Sequence, residues 1–286
     1  MAGRTLFFRL FNFYSDRIMR IKKIITVLLL TFLLTFSESS VFAQRMQDPN
    51  TVAWLASFNT IFLSKKVSVW AEYQWRREAF FDSWQQSLAR VGLQYHFKNS
   101  TILTAGYGYI ESYPFGEYPA GPYKVPEHRF YEQAMWNNNM GRLQIVHRVR
   151  LEQRLVGKVN QKAADYELNG YNYTNRVRYQ MRLVYPLNHP TTVPGTWYAV
   201  SFDELFIGFG SNVNQNIFDQ NRLAAGVGYQ FNKMLKIEGC AFDQSVQQAA
   251  LVAGKQVYQY NTGLLVNAFF TLPAKDKKPS GEEKVK

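Results

Sequence analysis

The residues best placed to do chemistry sit in two alternating runs. These are Arg148-Val149-Arg150-Leu151-Glu152-Gln153-Arg154 and Arg176-Val177-Arg178-Tyr179-Gln180-Met181-Arg182. A strand sends successive side chains to opposite faces, so each run has one cationic face and one largely apolar face. Rows of guanidinium groups do one of two things. They recognise oxyanions through forked hydrogen bonds, or they pair with carboxylates and fill space. Arg222 joins the set from a third alternating run, Arg222-Leu223-Ala224-Ala225-Gly226-Val227-Gly228. The candidate anion-contact or lumen-lining residues are therefore Arg148, Arg150, Glu152, Arg154, Arg176, Arg178, Arg182 and Arg222. A positive constriction would select anions. The competing reading pairs these arginines with Glu72, Glu132, Glu152, Glu204 and Glu238 and leaves a filled lumen.

Signals for catalysis are thin. A hydrolytic Ser–His pair needs the two side chains close together on one exposed rim. Of the four histidines, His96 and His147 lie in alternating runs, His128 at a loop edge and His189 in a connection. None has a serine at short period-two spacing, so no catalytic residue is expected and a lipid-modifying enzyme is the least favoured function. No His/Cys/Asp/Glu cluster has ligand spacing, which argues against a metal site, and no cofactor is implied. The one cysteine, Cys240, cannot form an intramolecular disulfide. The pairs Gly106–Gly108 and Gly226–Gly228 read as room for large inward neighbours such as Arg, not as phosphate loops.

The chain has 33 Lys/Arg against 21 Asp/Glu, a net charge of +12. Such a balance suits polyanion binding. The arginines lie in strand-like runs, however, and not in a basic tail or helix, which disfavours nucleic acid as a partner. Ile24 to Phe36 is the only long apolar run, and it is too short to span a bilayer. Arg20, Lys22 and Lys23 precede it and Val41-Phe42-Ala43 follows, the pattern of a secretory signal peptide cleaved after Ala43. Met19 gives a leader of more ordinary length than Met1. The expected organisation is a signal peptide over 1–43, a β-domain over 44–272 and a polar tail over 273–286.

The elements that must position the arginines follow from alternation at period two along the whole β-domain. Strands are predicted over 52–63, 67–76, 87–97, 101–110, 128–136, 142–155, 171–185, 197–209, 221–231, 235–243 and 257–272. Short turns (64–66, 98–100, 137–141, 232–233) alternate with longer links (77–83, 112–127, 156–170, 211–219, 247–255), and the connection 186–195 breaks the rule. Four prolines make 112–127 a long loop. Each strand has about the ten residues that a tilted transmembrane strand needs. Short turns at one end and long loops at the other are the habit of outer-membrane barrels, whose strand number is normally even. The fold expected is an all-β transmembrane antiparallel up-and-down β-barrel of 12 strands, with 10 as second choice. The strand needed to reach twelve would come from Gln44–Thr51 or from part of 156–170.

Four segments carry a family resemblance: His147–Arg154, Asn175–Tyr179, Asp203-Glu204-Leu205-Phe206 and Asn221–Tyr229, in that order. In them the chain resembles the uncharacterised outer-membrane barrel family known as domain of unknown function 2490, and the likeness covers essentially the whole β-domain. It implies a β-barrel in the bacterial outer membrane and no activity. The partners expected are outer-membrane lipid and the barrel-assembly machinery, with small anionic solutes if the lumen is open. The chain departs from barrels that end on an aromatic residue, because Phe269-Phe270-Thr271-Leu272 is followed by the tail.

Overall fold

A computed structural model describes residues 45–274 apart from 163, 164 and 214. The expected leader, its cleavage site and the tail from 275 onward lie outside the described residues. The strands are β1 (Arg45–Phe62), β2 (Val67–Glu78), β3 (Ser83–His96), β4 (Ile102–Ser112), β5 (Val125–Met140), β6 (Leu143–Lys162), β7 (Asp165–Pro186), β8 (Thr196–Phe209), β9 (Phe218–Gln230), β10 (Leu235–Val252) and β11 (Lys255–Leu272). They form a closed barrel in which each strand pairs with its neighbours in sequence and β1 meets β11. All ten sequential pairs are antiparallel.

Eleven strands among the described residues correct the expectation of twelve or ten. The residues held in reserve for a further strand lengthen existing ones. Arg45–Thr51 begins β1, and 156–170 continues β6 and β7, which stay paired out to Lys162↔Asp165. An odd count requires the closing pair to run parallel, and three contacts agree. Gly263 packs on the Val52 carbonyl, Gln259 Nε2 donates to Asp48 Oδ2 (2.9 Å), and the Phe58 and Phe269 rings stack at 4.9 Å. The two residue numbers differ by the same amount in every case, which is the signature of parallel pairing. Partners followed from Thr60 round the wall return to β1 near Met46. That stagger of about fourteen residues tilts the strands by roughly 40°.

One end carries the turns 63–66, 97–101, 141–142, 187–195 and 231–234, and is called the turn end. The other, the loop end, carries 79–82, 113–124, 210–217 and 253–254, with the β6–β7 connection. The predicted turn at 137–141 is shorter, because β5 runs on to Met140 and pairs with Leu143. The predicted link at 247–255 is also strand, broken by a bulge between Gln247 and Leu251. Such polar hairpin tips read as loops because no face there is buried enough to impose alternation; 166–170 are exposed throughout.

The proline-rich loop 113–124 folds back over the loop end. The buried Asp48 accepts from the Glu117 and Tyr118 backbone N–H groups (3.0 and 3.3 Å), and Glu78 Oε1 accepts from Gly116 N (2.9 Å). Gly116 has φ +79 and its α-carbon lies against the Asp48 carboxylate, so a side chain fits neither the backbone nor the space.

Candidate functional site

Alternation and register turn one face of every strand inward, and on β6 and β7 that face carries the charged residues. Glu152 on β6 is fully buried, and Arg150, Arg176 and Arg178 are nearly so. Their outward neighbours Tyr179 and Met181 are 43% and 40% exposed. On β6 and β7, Glu152 lies opposite Arg176 and Arg150 opposite Arg178.

Six of the eight sequence-derived candidates meet in one network. Arg176 binds Glu152 through Nε (2.9 Å) and Nη2 (2.6 Å), and its Nη1 reaches Asp219. Arg178 bridges Glu152 (2.7 Å) and Glu204 (2.6 Å). Arg148 also binds Glu204 (2.8 Å). Arg154 forms a fork on Glu127 (2.8 and 2.9 Å). Arg150 donates to Gln133 Oε1 (2.7 Å), stands 3.7 Å from Glu152, and lies over the Tyr131 ring. Arg182 lies apart, bound to Glu238, which also accepts from Tyr198 Oη (2.9 Å). Arg222 lies over the Trp54 and Phe206 rings, its guanidinium carbon 4.9 and 4.7 Å from their centroids, and donates to Gln220 Oε1 (3.0 Å).

Several interior charges escaped the sequence reading. Arg129 binds Glu127 (2.6 Å) and approaches Glu152 (3.6 Å), and Arg90 binds Glu72 (2.6 Å). Arg76 is buried over Trp54, 3.9 Å from the ring centroid, and donates to Gln74 and Gln86. Asp219 sits next to the loop 210–217, where the alternation that marks a face is lost. Glu127 and Arg129 do alternate with Tyr131, which is the signal that could have placed them. Of the acids proposed as partners, Glu72, Glu152, Glu204 and Glu238 are buried inside. Glu132 is the exception: it points outward, where it accepts from Gln153 Nε2 (3.0 Å). Its strand places odd-numbered residues inside.

Above this network a vestibule of about 550 Å³ opens toward the loop end, lined by Arg76, Arg90, Arg129, Arg154, Arg176, Arg178 and Arg222 together with Glu127 and Asp219. On the side running from β7 through β11 to β1, apolar side chains fill the interior: Trp54, Val184, Tyr198, Val200, Phe202, Phe242 and Leu265. Trp54 and Phe242 pack with ring centroids 4.4 Å apart. A recess of about 300 Å³ near the turn end, bounded by His96, Ile102, Met135 and Gln144, shares no lining residue with the vestibule. The inward glycines make room mainly for tyrosines. Gly92 and Gly106 admit Tyr131 and Gly228 admits Tyr198, while Gly108 alone yields to an arginine, Arg90.

The register does bring one serine to a histidine, with Ser68 Oγ 2.7 Å from His96 Nε2 across β2 and β3. Ser68 is fully buried and also donates to Gln94 Oε1 (3.0 Å), so no substrate carbonyl can approach it. His128 is held between the hydroxyls of Tyr107 (2.6 Å) and Tyr171 (3.1 Å), and His147 by Tyr179 (2.9 Å). Among the described residues no cluster of His, Cys, Asp and Glu has metal-binding geometry.

Comparison with known families gives one result. Residues 51–253 match the family described as "Protein of unknown function (DUF2490)", a stretch that runs from β1 to the β10–β11 tip. No curated protein and no solved structure matches the chain.

Proposed function

The chain belongs to the DUF2490 family of proteins of unknown function, and on that premise we propose that it is a bacterial outer-membrane β-barrel with a closed lumen. The observation that carries this reading is the direction of burial. Charged residues are packed inside, and the wall exposes aliphatic and aromatic side chains, among them Val91, Leu103, Leu205, Leu223, Val227 and Leu264. A water-soluble barrel would hide these residues, and contiguous exposed apolar surface on this scale marks a lipid or partner contact.

Aromatic residues gather at both rims of that belt. Tyr95, Phe97, Tyr185, Trp197 and Phe231 are exposed near the turn end, and Phe81, Trp84, Tyr109, Tyr173 and Phe209 near the loop end. Interfacial girdles have this arrangement. Outward carboxylates on the wall have cross-strand donors: Asp203 accepts from Asn221 (2.8 Å), Asp243 from Thr262 (2.8 Å) and Glu132 from Gln153. Such bonds lower the cost of a polar group facing hydrocarbon. The loop end then faces the exterior and the turn end the periplasm. The partners of this reading are outer-membrane lipid and the barrel-assembly machinery.

Closure is supported by the apolar filling around Trp54 and by the separation of the two cavities. A second reading, a small anion-preferring pore, draws on the arginine-lined vestibule. Reconstitution into planar bilayers separates the two. The closed barrel should insert and leave conductance at the background level. A steady conductance with anion preference would establish the pore instead, and recovery of the folded chain as a soluble periplasmic protein would sink both.

A further inference from the structure

The barrel interior contains more cation than its carboxylates balance. In the network and around the vestibule, nine arginines (76, 90, 129, 148, 150, 154, 176, 178 and 222) face six carboxylates (48, 72, 127, 152, 204 and 219), leaving three positive charges among the described residues. Buried charge left unpaired is costly, so a counter-ion is expected where the excess is concentrated.

That place is narrow. Seven of the nine arginines have a carboxylate within 4 Å. The other two, Arg76 and Arg222, have only neutral amides: Gln74 and Gln86 for Arg76, Gln220 for Arg222. Both guanidinium groups lie over the same indole, with Trp54 centroid distances of 3.9 and 4.9 Å. Both line the vestibule, whereas Trp54 is buried and does not. Their separation cannot exceed the sum of those two distances.

We propose that Arg76 and Arg222 form an oxyanion-binding site at the floor of the vestibule, specific for a small free solute that carries a phosphate, sulfate or carboxylate group. Two forked donors of fixed shape suit an oxyanion better than a spherical halide. The cavity, about 550 Å³, falls within the range of small-molecule sites. Because the site lies inside the wall, a lipid-anchored headgroup cannot enter it from the belt. The proposal does not depend on insertion into a membrane, and it holds for either a closed or an open lumen.

The test is calorimetric titration of the full folded barrel with inorganic phosphate at constant ionic strength, beside sulfate, acetate and chloride. One saturable phosphate site per barrel is expected, with at least tenfold preference over chloride and a rise in Tm that tracks its occupancy. Arg76→Gln and Arg222→Gln should each weaken phosphate at least tenfold. Arg142→Gln should leave it unchanged, since Arg142 serves backbone carbonyls at the turn end. Absence of saturable binding in the wild-type barrel overturns the proposal, and so does equal affinity for phosphate and chloride. Unaltered binding in folded Arg222→Gln overturns it too. The wild-type titration decides even where a variant does not fold, and it is independent of the bilayer result.

Discussion

Glu152 is the residue on which the interior charge depends most. It is fully buried, with Arg176 and Arg178 in direct contact and Arg129 and Arg150 at 3.6 and 3.7 Å. Replacing it with glutamine leaves four guanidinium groups facing one another without their shared anion. Breaking a buried ion pair from one side costs about 3–5 kcal/mol. Arg154→Gln removes less, because Glu127 keeps Arg129 as a partner. Urea unfolding of the reconstituted barrel should therefore show Glu152→Gln well below wild type, with Arg154→Gln between them; the reverse order contradicts the pairing. The sequence could say that Glu152 shares a face with the arginines, since alternation fixes parity. It could not choose between Arg176 and Arg178 as the cross-strand partner, because a slip of two residues preserves every facing. Nor could it foresee that Glu152 touches both, or that Arg129 and Asp219 arrive from β5 and β9.

At the scale of strands, the alternating middles were legible and the ends were not. Each strand reads clearly where one face meets the interior and the other the apolar belt. Past the rim both faces meet the same surroundings, so β6, β7, β10 and β11 continue through stretches whose composition resembles loop. The count was lost for a related reason. Even parity assumes that the last strand closes antiparallel on the first, whereas β1 and β11 run in the same direction. Gly263 marks that seam: a Cβ there would lie 1.7 Å from the Val52 carbonyl oxygen, a backbone atom that cannot yield without parting the strands. Gly263→Ala should leave the ten antiparallel pairs able to form and prevent closure. Loss of heat-modifiable gel mobility, with new protease cleavage in β1, is the expected result. Gly239→Ala on the neighbouring β10 meets open space and should behave as wild type. A Gly263→Ala barrel that closes normally would mean that the seam lies elsewhere.

For the molecule as a whole, the deciding question is what solvent the wall meets, and a graded substitution along β7 addresses it. Its outward face runs from Tyr173 through Val177, Tyr179 and Met181 to Tyr185, with Leu187 just beyond; Tyr173, Tyr185 and Leu187 are 46%, 42% and 50% exposed and Met181 40%. By exposure alone Met181 and Leu187 are equivalent, so in water an arginine at either position costs almost nothing. In a bilayer they differ. Met181 lies within the belt between the two tyrosines, where arginine costs roughly 2–4 kcal/mol, and Leu187 lies at the rim, where it costs roughly 0–1 kcal/mol. Arg182→Met, on the opposite face, serves as the control for interior damage. It leaves the fully buried Glu238 with Tyr198 alone, a loss that does not vary with what surrounds the wall. Folding yield into lipid vesicles should fall sharply for Met181→Arg and stay near wild type for Leu187→Arg. Equal yields for these two arginine variants, beside a damaged Arg182→Met, would mean that the belt contacts water or a protein partner. The outer-membrane assignment would then fail even though the barrel stands.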